Sequence, residues 1–151
     1  MSIEQSLKNI LSSQINGYQT LIEVLRRERE CLVHFNAPGV EALSKEKDTI
    51  VLQLRLLEEE RMRLVRSFAT ERKLGEDITL QRLADITGDK AFQTLRLQLL
   101  SLLQSIGELN GFNRVLIERS SGVVKNALQF LGSLGVNLNS NTTGTRISRE
   151  A

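Results

Sequence analysis

The sequence predicts an all-α protein: an elongated antiparallel three-helix bundle, or coiled-coil-like hairpin, with a long third helix, one short extra helix and a flexible C-terminal tail. Three observations predict it. Proline occurs once in 151 residues, at Pro38, in a chain rich in the good helix formers Leu, Glu, Arg, Lys and Gln. Apolar residues recur at alternating steps of three and four through three long blocks, which places them on one stripe of a helix. Short breaks separate the blocks, so consecutive helices fold back on one another. One helical domain is expected over 1–133 and a polar tail over 134–151.

The first block runs from residue 3 to about 35. Leu7, Leu11, Gln14, Tyr18, Leu21, Leu25, Glu28, Leu32 and Phe35 make its seam. Ile10, Ile15 and Ile22 widen the stripe, as a bundle helix requires. Asn36-Ala37-Pro38-Gly39 reads as a turn, because Pro38 disfavours helix at the residue before it. The second block, 40 to about 73, repeats the spacing through Leu43, Lys47, Ile50, Leu54, Leu57, Arg61, Leu64 and Phe68, with Val51 and Val65 adding width. Leu74-Gly75-Glu76-Asp77 reads as a break. Residues 79–86 read as a short helix, apolar at Leu80, Leu83 and Ile86, and Asp89 is the expected N-cap of the next helix.

The third block, 90 to about 132, keeps the strictest period and predicts a helix of roughly 60 Å. Its seam is Phe92, Leu95, Leu99, Leu102, Ile106, Leu109, Asn113, Leu116, Ser120, Val123, Ala127 and Phe130. Its character changes after Leu109. Asn113 and Ser120 occupy seam positions, where burial without a partner is costly. Gly111 and Gly122 each lower helix stability by about 1 kcal/mol relative to Ala. Ile117, Val124, Leu128 and Leu131 form a second apolar stripe beside the seam. The hairpin is long enough to cover only one side. Two occupants are open for the other: a second copy of the chain, with Asn113 setting the register of a homodimer, or another protein's amphipathic helix.

The remaining chemistry points away from catalysis and nucleic acid. Twenty basic residues stand against eighteen acidic ones for a net charge of +2, mixed along the chain rather than gathered in a basic stripe. The single Cys, Cys31, and the single His, His34, lie three apart without a second Cys or His to complete a zinc site. They read as a small apolar side chain and a partly exposed neighbour. Glu58-Glu59-Glu60 point around the helix, with an i,i+4 pair expected between Glu59 and Arg63, and Arg61 expected either to snorkel or to pair with a carboxylate on another helix. Gly107-x-x-x-Gly111 carries Glu108 and Asn110 between its glycines, which excludes a membrane-helix pairing motif. No phosphate-binding glycine loop occurs. No cofactor or metal is expected. The N-terminal MSIEQSLKNIL lacks the basic start and apolar run of a secretory signal, and no apolar stretch spans a membrane, so a cytoplasmic location is expected.

Several segments resemble one family. Lys47 and Leu56-Leu57-Glu58-Glu59-Glu60-Arg61 are similar to the middle helix of FlgN-type flagellar export chaperones. Asn110-Gly111-Phe112-Asn113-Arg114-Val115-Leu116-Ile117-Glu118-Arg119-Ser120 resembles that family's N-x-x-N-x-x-L-I segment, and Val124, Leu128 and Leu131 before a polar tail also fit. The family tail often carries a Tyr near its final Gly, whereas Asn141-Thr142-Thr143-Gly144 has none. The resemblance implies a non-enzymatic, cytoplasmic chaperone. Such proteins bind the C-terminal helical regions of hook–filament junction proteins, keep them unpolymerised and deliver them to the flagellar export apparatus. Carried over residue by residue, the implied partner-binding surface is Asn110, Asn113, Leu116, Ile117, Ser120, Val123, Val124, Leu128 and Leu131.

Overall fold

A computed structural model describes residues 1–75 and 78–135, and among them are four helices, each started by its own cap. They are α1 (Ile3–Val33), α2 (Ala37–Glu71), α3 (Leu80–Thr87) and α4 (Lys90–Ser133). At each start a side-chain oxygen accepts from a first-turn N–H that has no partner inside the helix. Ser2 accepts from Gln5, Asn36 from Gly39, Thr79 from Arg82 and Asp89 from Ala91. Pro38 therefore lies inside the first turn of α2 rather than in the connection, where its missing N–H costs nothing. The helix begins three residues earlier than its apolar spacing predicts.

The connection itself is made by the end of α1. The Asn36 N–H donates to the Cys31 carbonyl at 2.8 Å and the Phe35 N–H to the Leu32 carbonyl at 3.3 Å. This is the paired closure of a Schellman motif, which needs a left-handed residue at Phe35, φ 53°. Glycine adopts that conformation freely, whereas an L side chain costs about 1–2 kcal/mol there. Phe35, expected on the seam, is instead turned into solvent and 67% exposed. Lys73 closes α2 in the same way, with φ 56° and Leu74 donating to Ala69.

Helix directions follow from cross-links at the ends. Arg72 pairs with Glu4 and Arg27 with Glu46, so α1 and α2 are antiparallel. Lys8 meets Asp89 at 2.6 Å near the starts of α1 and α4, and Asn113 meets Leu25 near the end of α1, so those two run the same way. The bundle is up, down, up, with α1 packed along both α2 and α4, and α3 lying on the start of α4. At Gly17 the α1 backbone comes so close to α2 that a Cβ would sit 2.6 Å from Leu54 Cδ2.

The core has two parts. Leu7, Leu11, Leu64, Phe68, Leu83, Phe92 and Leu99 fill the end where all four helices meet. Leu21, Leu25, Leu43, Ile50, Leu54 and Ile106 fill the part nearer the α1–α2 turn. The long seams predicted from the spacing are thus mostly buried. Val51, expected to widen the stripe, is 41% exposed, because its position turns it away from α1. The break expected at Leu74-Gly75-Glu76-Asp77 is non-helical at Leu74 and Gly75, and Glu76 and Asp77 lie outside the described residues. From residue 136 on, the expected polar tail also lies outside them.

Candidate functional site

Polar seam residues make two clusters between the helices. In the middle of the bundle, buried Gln14 donates to Glu58 at 2.8 Å, and Arg61 donates to the same carboxylate through Nε and Nη2. Arg61 therefore finds its carboxylate one turn back on its own helix rather than across the bundle. Its guanidinium holds Glu58 below the usual carboxylate range against the opposing effect of burial, with the Gln14 bond adding to the lowering. Burial, helped by the charge on Glu58, pushes the nearby Tyr18 hydroxyl up. Arg63 binds Glu60 rather than the expected Glu59, because the i,i+3 geometry lets the guanidinium take both oxygens.

The second cluster marks where α4 leaves the bundle. Glu28 is buried; Lys47 donates to its Oε2 at 2.9 Å and Asn113 Nδ2 to its Oε1 at 2.9 Å. The same Nδ2 donates to the Leu25 carbonyl at 3.0 Å. Asn113 is 2% exposed, and its Oδ1 has no hydrogen-bond partner among the described residues. One carboxylate thus ties α1, α2 and α4 together at a fixed level. A polar group buried in a helical seam specifies register at a cost in stability.

Beyond Asn113 no described residue of α4 is buried. The helix continues for about twenty residues, roughly 30 Å, while α1 has only one more turn and a half before its end. α4 therefore outruns the hairpin by about 20 Å. Leu116, Ile117 and Ser120 are half-buried at the edge of the hairpin, and Leu128 is half-buried further out. Val123 is 55% exposed and Leu131 is exposed. Val124 belongs to the same helical stretch, and its side chain lies outside the described residues. These positions continue, heptad by heptad, the face that earlier in α4 meets α1, so one apolar stripe passes from covered to uncovered.

Two expected site residues stand apart. Asn113 has its amide committed inside the bundle, and Asn110 is exposed at the margin of the stripe. Conversely, Phe130, Leu134, Val33 and Phe35 are exposed apolar residues at this end that the family segment does not include. Phe130 is on the predicted seam, so its period could have signalled it. Phe35 could not be found that way, because the turn geometry moves it off the seam. A Cβ on Gly111, Gly122 or Gly132 would meet nothing within 4 Å, so the free half of α4 has open space around its glycines.

Among the described residues no three His, Cys, Asp or Glu side chains are grouped to hold a metal ion. Cys31 is half-buried, and His34 is exposed beside Glu30 at 3.7 Å. No described helix is long and apolar enough to cross a membrane. The family model described as FlgN protein matches residues 1–144, a span that includes all four helices. The chain belongs to the FlgN family. Searches of curated proteins and of solved structures return no match. Membership in the FlgN family makes this a protein of flagellar assembly with a general export-chaperone role, in a family not known for enzymatic activity.

Proposed function

We propose that the chain is a cytoplasmic, non-enzymatic chaperone that binds the C-terminal helical regions of hook–filament junction proteins through the free half of α4, prevents their premature assembly and delivers them to the export apparatus. The observation that carries this reading is the apolar stripe of α4 running on past the end of the hairpin that covers its first half. A client's oligomerising helix is apolar and needs the same kind of cover until export. Laid along Leu116, Ile117, Ser120, Val123, Val124, Leu128 and Leu131, it takes the place that α1 holds further back. Asn113 contributes from beneath, by fixing where the covered part stops.

The test is calorimetric titration of the full chain with C-terminal fragments of the two hook–filament junction proteins from the same bacterium. Saturable one-to-one binding is expected for at least one fragment. It should be lost in a Leu128→Asp/Leu131→Asp double variant whose helical circular dichroism is unchanged. No binding to either fragment, with concentration-dependent sedimentation that the same double variant abolishes, would instead make the stripe the interface of a self-associating coiled coil.

A further inference from the structure

The stripe on α4 is too small by itself. The part extending beyond the hairpin is about 20 Å long, and half the circumference of a helix gives it roughly 300 Å² of contact. A stable specific interface takes about 800 Å² from each partner. A client lying along α4 must bear on something else at the same end of the molecule. The exposed apolar residues there are Val33 and Phe35, at the tip of the α1–α2 hairpin, 51% and 67% exposed. Asn113 holds α4 against Leu25 and Glu28, roughly one and a half to three turns short of that tip, so the tip lies at the end of the molecule where α4 emerges.

Phe35 is also the wrong residue for its turn. The Schellman closure of α1 needs a left-handed position, which glycine or asparagine fills more easily. At the matching position of α2 the strained residue is Lys73, a side chain suited to water. Phe35 gives the turn nothing that Asn would not, and it puts an aromatic ring into solvent.

Resting on the reading that helical clients dock along α4, we infer that the hairpin tip is the second wall of the same site. α4 forms one side of a corner, Val33 and Phe35 form its floor, and the end of the client's docking helix seats against them. Phe35 is the aromatic anchor of that floor, and its backbone strain is retained for binding.

The experiment compares Phe35→Asn, Phe35→Tyr and Val33→Ser with the unaltered full chain, using the same junction-protein fragments and thermal melting. Phe35→Asn should raise the melting temperature by about 2–4 °C, since Asn tolerates the left-handed position. It should weaken fragment binding roughly ten-fold or more. Phe35→Tyr should keep the affinity, and Val33→Ser should weaken it to a smaller extent. Unchanged affinity in Phe35→Asn and Val33→Ser, with the unaltered chain binding, overturns the inference and leaves docking along α4 standing. Weaker binding accompanied by a lower melting temperature also overturns it, because Phe35 would then act through the fold. No binding by the unaltered chain removes the chaperone reading and the inference together.

Discussion

Asn113 shows how one residue can be read two ways. Its seam position and its place in the N-x-x-N-x-x-L-I segment suggest a partner contact, yet its two N–H groups are committed to Leu25 and Glu28. Asn113→Ala should cost about 1–3 kcal/mol in urea unfolding, because it strips a donor from a buried carbonyl and a buried carboxylate. Glu58 supplies a pH signature at the same scale. Its folded pKa lies below the ordinary 4.5, chiefly through the Arg61 hydrogen bonds. A depressed carboxylate stabilises the fold fully above its unfolded pKa and loses that contribution as pH falls through the lower folded value. Stability measured from neutral pH downward should therefore hold until about pH 4.5 and then decline. Glu58→Gln should flatten part of that acid limb. Asp89, held down by Lys8 and by the Ala91 N–H, acts in the same direction.

At the scale of the element, α4 is one continuous helix with two environments. Residues 92–109 pack on α1, and residues 116–133 have little against them. Amide hydrogen exchange should divide along that line, fast beyond Asn113 and slow before it, with protection of the distal half on adding client. Gly111→Ala should stabilise the fold by about 1 kcal/mol, and Gly122→Ala only the free half of α4, since their Cβ atoms enter open space and Ala is the better helix former. Gly17→Ala should have the opposite sign, because Leu54 already occupies that space. Thermal melting checks Gly111→Ala and Gly17→Ala, and hydrogen exchange in the distal half of α4 checks Gly122→Ala. Here too lies the difference between what spacing reveals and what it hides. Steps of three and four located α1, α2 and α4 and nearly all of their buried residues, since burial follows helical period. They misplaced Phe35 and the start of α2, because left-handed closure and a first-turn proline belong to the cap and not to the period.

For the whole molecule, the candidate site was legible as an excess: more apolar seam on α4 than a two-helix hairpin can cover. Its extent was not. Whether Asn113 faces in or out depends on the level at which α4 is clamped, and that is set by Glu28 and Lys47, far away in the sequence. Val33 and Phe35 come to the same end of the molecule as the emerging helix only through the parallel course of α1 and α4. Truncation after residue 115 tests this division of the molecule. Melting should change little, while binding to the junction-protein fragments should vanish.

The position of the two core clusters has a consequence of its own. Neither draws on any described residue beyond Leu109. Substitutions in the last third of α4 are thus nearly invisible to folding, and substitutions in the hairpin core are nearly invisible to the exposed stripe. Such a molecule is modular along its sequence. Exchanging residues 116–133 for those of another chaperone of the same build should transfer client preference while the frame that carries them folds as before.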